Sequence, residues 1–152
     1  MNYTIELEVD KPRDEVARLF MDEASLPFWQ PGFVSIEHLS GDEGKPGAKS
    51  KLLYKNRGRD VEMIETIQVF SPPDEFTATF EAKGMHMTVK NLFYEAGENK
   101  TRWVSENEAQ TSGLMMKIVG ILMPGCFKKE SMKYNVAFKA FAETGADVRE
   151  AS

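Results

Sequence analysis

Apolar and polar residues alternate through most of this chain, and the period of that alternation predicts its elements. Tyr3, Ile5, Leu7 and Val9 are separated by polar residues, the period-two signature of a strand with one buried face. Pro12 follows, a residue that suits the first turn of a helix because its missing N–H would be unpaired there anyway. Asp14 and Glu15 complement the helix dipole, and Val16, Leu19 and Phe20 form one apolar face. This short helix is expected to end before Pro27.

From Phe33 to Asn107 the pattern is almost entirely that of strands. The expected ones are Phe33–Leu39, Ala48–Asn56, Asp60–Phe70, Glu75–Ala82, Met85–Tyr94 and Thr101–Glu108. Gly41 to Gly47, Arg57-Gly58-Arg59, Ser71-Pro72-Pro73-Asp74, Lys83-Gly84 and Gly97-Glu98-Asn99 supply turn chemistry between them. Connections this short imply antiparallel neighbours, since parallel pairing needs long crossovers.

The period then lengthens. Leu114 to Met123 is an apolar helical stretch broken by Pro124-Gly125. Beyond it, Phe127, Ser131, Tyr134, Phe138 and Phe141 fall on one stripe, with Lys128, Lys129, Lys133, Lys139 and Glu143 opposite. A long helix with an aromatic stripe has to lie against a large apolar surface, and the sheet is the only candidate. The expected fold class is therefore α+β, with seven antiparallel strands curved around one C-terminal helix. Residues 1–144 are read as one domain and 145–152 as a short flexible tail.

Composition narrows the function classes. Charged residues make up 28% of the 152 residues, and the net charge is −5 with both signs interleaved. No basic tract accumulates, so nucleic acid is not an expected partner. The longest apolar run, Ile118 to Met123, is too short for an integral membrane segment. The N-terminus lacks the apolar run of a signal peptide, and Cys126 stands alone, so a reducing, cytoplasmic location is expected.

Several short motifs in order carry a family resemblance over residues 2 to 143. They are Val9-Asp10-Lys11-Pro12-Arg13-Asp14-Glu15-Val16, Trp29-Gln30-Pro31-Gly32, Pro46-Gly47-Ala48, Glu65-Thr66-Ile67 followed by Pro72-Pro73, and Phe138-Lys139-Ala140-Phe141-Ala142-Glu143. The sequence resembles the helix-grip superfamily of START domains, birch-pollen-allergen-like proteins and polyketide cyclases/dehydratases, most of all its uncharacterised bacterial branch. The resemblance implies an apolar cavity between sheet and helix. It says little about chemistry, because one fold hosts many activities.

Alternation assigns the cavity face. Val61, Met63, Ile67 and Val69 share a face with Glu65, while Phe76, Ala78 and Phe80 share another strand's inner face. Met85, Met87, Val89, Asn91 and Phe93 align, as do Trp103, Ser105 and Asn107, and Ser50, Leu52, Tyr54 and Asn56. The candidate cavity residues are Trp29, Tyr54, Glu65, Phe80, Met85, Met87, Asn91, Trp103, Ser105, Asn107, Leu122, Phe127 and Ser131. Apolar area with sparse polar groups is what a small-molecule pocket needs, although a solid core would use the same aliphatic residues. A carboxylate at Glu65 must be hydrated, paired or protonated, and Lys51 or Lys90 could pair with it. Trp29 could cap the cavity mouth or pin the short helix to the sheet. The apolar segment Gly113–Pro124 reads equally as a gate or as a helix buried at the sheet edge.

Catalytic signals are sparse. His38 and His86 have no companion at ligand spacing, so no metal and no cofactor is expected. His86 alternates out of phase with Met85 and Met87 and should face outward. No nucleophile elbow, P-loop or dinucleotide fingerprint occurs. Were the protein a cyclase or dehydratase, Glu65 would be the general base and Tyr54 a donor to the substrate carbonyl. The expected function is binding of a small apolar, lipid-like or polyketide-like molecule, as carrier or sensor. The alternatives are that enzyme and a protein-interaction module of the chaperone-ATPase-activator kind. Met132 and Val136 on the charged side of the last helix motivate the interaction module, and they leave a homodimer open.

Overall fold

The computed structural model describes residues 1–113 and 125–150. Strand β1 (Asn2–Val9) leads into helix α1 (Arg13–Met21), a 3-10 turn (Glu23–Ser25) and helix α2 (Leu26–Trp29). Strands β2 (Phe33–Ser40), β3 (Lys49–Asn56), β4 (Arg59–Ser71), β5 (Glu75–Ala82), β6 (Met85–Gly97) and β7 (Lys100–Thr111) follow. Helix α3 (Cys126–Thr144) comes last, with a final 3-10 turn at Val148–Glu150.

The seven strands form one antiparallel sheet in the order β1-β7-β6-β5-β4-β3-β2. Strands β2 to β7 are a meander. Strand β1 lies at the opposite edge from β2, so the α1–α2 segment carries the chain from one edge of the sheet to the other. Tight turns make the meander possible. At the β3–β4 turn Arg57 and Gly58 both take positive φ, at 53° and 79°, between the paired residues Asn56 and Arg59. That is the two-residue turn whose twist matches the strands it joins.

Two expectations change in detail. Strand β4 carries a bulge between Ile67 and Val69, after which Val69 opposes Thr77 and Phe70 opposes Phe76. The extra residue reverses the alternation, so Phe70 and not Val69 shares the inner face, where its ring meets Phe76 at 5.8 Å. Helix α1 is short and ends before Pro27, at Met21, as its pattern predicts, and Pro27 itself occupies the first turn of a second helix, α2, where no N–H is needed. Past Gly145, where a flexible tail is expected, the chain makes a 3-10 turn that lays the Arg149 guanidinium 4.8 Å over the Phe28 ring.

The tightly packed core sits at one end of the concave face. Val9, Thr101, Trp103, Phe93 and Phe138 are at most 1% exposed. Phe20 of α1 lies among them, its ring centre 5.2 to 5.5 Å from those of Trp29, Phe93, Trp103 and Phe138. Helix α3 packs through Asn135, Phe138 and Ala142, and Phe141 stacks on Phe28 at 5.4 Å. Gly145, in the left-handed conformation, closes α3 with its N–H on the Phe141 carbonyl at 2.8 Å.

Candidate functional site

Cross-strand register arranges the concave face in rows, because residues opposed in a ladder share a face. Nearest the core, Leu7 opposes Trp103, which opposes Phe93. Further along, Ala109, Met87, Phe80, Glu65, Ser50 and His38 form one row across six strands. Leu52 opposes Met63, and Tyr54 lies between Phe33 and Val61.

The two ends of this face differ in cover. The core rows are sealed by α1, α2 and the second half of α3, whereas Met63, Glu65, Phe80, Met85, Met87 and Val89 are only half-buried. The site candidates divide accordingly. Trp103 belongs to the core and donates its indole N–H to Asn91 Oδ1 at 3.0 Å. Trp29 is also a core residue, stacked on Phe20 at 5.4 Å, which fits pinning of the helical segment. Its Nε1 has no hydrogen-bond partner among the described residues. Ser105 and Asn107 are buried and bond each other, Asn107 Nδ2 reaching Ser105 O at 2.9 Å and Oγ at 3.1 Å. Tyr54, Glu65, Phe80, Met85 and Met87 lie in the less covered part, and Phe127 and Ser131 are half-buried on α3. Leu122 and the segment 114–124, with Met115, Met116 and Met123, lie outside the described residues.

Glu65 is the most perturbed acid of the site. Burial, aided by the negative charge of Glu23, pushes its carboxyl from 4.5 up to about 7. Neither expected lysine pairs with it. Lys51 opposes Ile64 and so projects from the convex face, where its Nζ lies 3.6 Å from Glu37. Lys90 opposes Thr77 on that same outer side. Tyr54 is pushed upward by burial first and then by the nearby Tyr134 and Glu65. Its hydroxyl donates to Gln30 Oε1 at 2.8 Å, which ties β3 to the end of α2. Tyr134, on α3, is raised by burial and by Glu130. Four groups therefore approach one region from separate elements: Tyr54, Glu65, Tyr134 and Glu23.

Gln30, Glu23 and Tyr134 are absent from the sequence-derived site. Tyr134 was legible as a member of the α3 stripe, and Gln30 lies in the Trp29–Gly32 motif, but Glu23 carries no local signal. A second polar pair joins the first strand to the last helix, Tyr3 Oη and Ser131 Oγ being 2.7 Å apart. Asn135, one turn on from Ser131, is buried with its Nδ2 unpartnered among the described residues. His86 faces outward, its Nδ1 3.2 Å from Glu81, and His38 Nε2 lies 2.8 Å from the Gly41 carbonyl. Among the described residues no three His, Cys, Asp or Glu side chains gather to hold a metal. No described helix is long and apolar enough to cross a membrane. Val136 is half-exposed on the outer face of α3 while Met132 is half-buried.

Neither a family model nor a curated protein matches the sequence. Solved structures do match. The Zhui aromatase/cyclase from Streptomyces sp. R1128 superposes with a TM-score of 0.77 at 16% identity, over 100% of this chain and 98% of that one. A conserved protein from Geobacillus kaustophilus gives 0.76 at 17% identity, over 93% and 95% of the two chains. Ara h 8.0201 gives 0.67 at 16% identity, over 93% and 98%. The chain has the helix-grip fold. Superposition at identities this low shows the fold alone, and a helix-grip architecture names no activity.

Proposed function

We propose that this helix-grip domain is a carrier or sensor that holds a small, largely apolar molecule against the less covered end of its concave face. The carrying observation is Glu65. Its carboxyl shares a face with Met63, Phe80 and Met87, and no donor or cation among the described residues offsets its burial. Apolar lining with one isolated polar group is the composition of a site that binds through area and orients through a single contact. A cyclase/dehydratase-like enzyme is the second reading. It is favoured by the same carboxyl, since an acid held near 7 suits a general base at neutral pH. Its weak point is Tyr54, whose hydroxyl proton is already given to Gln30.

The test is native mass spectrometry of protein purified from its own host, followed by organic extraction of whatever is bound. A stoichiometric apolar molecule is the expected result, and incubation of that molecule with the protein then separates carriage from turnover. Protein that is empty, and that also fails to bind apolar fluorescent probes, refutes both readings.

A further inference from the structure

We propose that the molecule held on the concave face carries a basic nitrogen, an organic amine whose ammonium group pairs with Glu65. This rests on the binding function proposed above and specifies the ligand's charge. It comes from where cations among the described residues are placed. In the strands, Lys49, Lys51, Lys55, Lys90, Lys100 and Arg102 alternate out of phase with Ser50, Asn91 and Trp103, and so leave the sheet on its convex side. Several are held there, Lys51 by Glu37, Lys100 by Glu8, and Arg102 by Glu6. On the helices, Arg13 is paired with Asp74, Lys133 with Glu130 and Lys139 with Glu143.

Two basic residues share the inner phase. Arg59 is exposed at the tip of the β3–β4 hairpin, and the six residues to Glu65 span about 20 Å of strand. His38 is in the same cross-strand row as Glu65 but on the edge strand, exposed, with its ring on the Gly41 carbonyl. The groups near Glu65 are Glu23 from the 3-10 turn and Tyr54 from β3, and Tyr54 in turn is approached by Tyr134 from α3. Any charge these three carry is negative.

A ligand carboxylate would therefore meet a like charge and no described cation. An alcohol would gain a neutral hydrogen bond. An ammonium gains a charge-assisted one, the stronger class, with phenol rings beside it whose faces attract cations. With its carboxyl raised to about 7, Glu65 is about half protonated at pH 7, so binding an ammonium there displaces part of a proton into solvent.

The experiment compares head groups on one tail. Decylamine, decanol and decanoate, each below its micelle concentration, displace N-phenyl-1-naphthylamine from the full chain at pH 7.5. Decylamine is expected to compete about tenfold more tightly than decanol, with decanoate weakest. In Glu65→Gln the advantage of decylamine over decanol should vanish while decanol is unchanged. As a check that needs no variant, calorimetry of decylamine binding in two buffers of different ionisation enthalpy should show proton release. Decanoate equal to or tighter than decylamine overturns the inference, as does an amine preference that survives Glu65→Gln or binding without proton release. If neither the naphthylamine probe nor any decyl compound binds the folded protein, the binding function itself falls.

Discussion

Replacing Glu65 by glutamine removes one ionisable group from the inner face and leaves a side chain of nearly the same size. Its effect on stability is set by the proton that Glu65 carries. In the unfolded chain the carboxyl titrates near 4.5, and in the fold near 7. Below the first value both states are protonated and the group has no effect. Between the two, the folded state keeps a proton that the unfolded state has lost, so wild-type stability falls as pH rises. Above the folded value the loss is complete. At about 1.4 kcal/mol per pH unit, the displacement amounts to roughly 3 kcal/mol. Glu65→Gln lacks this penalty. Urea titrations of both proteins, stripped of bound small molecules, should give equal stabilities at pH 4.5 relative to a common offset. By pH 8 the variant should be ahead by roughly 3 kcal/mol, a midpoint shift of about 1.5 M urea. Other titrating groups are common to both proteins and cancel in the difference. Stabilities that run parallel from pH 4.5 to 8 would refute the placement of Glu65 in an apolar, cation-free environment.

Three further substitutions probe the frame around the site. Phe138→Ala removes the ring that meets Phe20, Trp29 and Trp103 at 5.1 to 5.2 Å, and chemical denaturation should show a loss of about 3–5 kcal/mol. Gly32→Ala places a Cβ into the Lys55 carbonyl at a backbone φ of 78°. It should cost about 1–3 kcal/mol and lower the midpoint of thermal unfolding. Tyr54→Phe deletes the hydrogen bond to Gln30, with an expected loss of about 1 kcal/mol in the same urea assay. That variant also separates the two functional readings, because decyl-compound binding should persist whereas a Tyr54-dependent turnover would be abolished.

Much of this architecture was legible in the chain, and the failures have physical causes. Alternation over Tyr3–Val9 and Met85–Phe93 reports burial of one face directly, so those strands and their inward sets agree with the ladder register. At Ile67-Gln68-Val69-Phe70 two adjacent apolar residues let either phase continue, and the pairing with β5, a long-range contact, decides it. Alternation also gives face without depth. Trp103 and Met87 are two inner residues of equal standing in sequence, yet only Trp103 lies beneath Phe20 and Phe138. Glu65 stood out as a carboxylate on an apolar face. Glu23 and Gln30 come to the site from the connection that crosses between the sheet edges, and no local pattern encodes where such a crossing lands.

The core around Phe20 has an optical consequence. The chain has only two tryptophans, and both sit in that core with different surroundings. Trp103 has its indole N–H engaged by Asn91. It lies six residues, about 20 Å of strand, from Ala109, which starts the row containing Glu65. Trp29 has a free indole N–H among the described residues and adjoins Gln30, the partner of Tyr54. Trp103 emission should therefore follow unfolding and ignore occupancy, while Trp29 is the fluorophore placed to sense it. A compound that occupies the site should then change the total spectrum only in part, because one of the two emitting rings lies far from it along the strand.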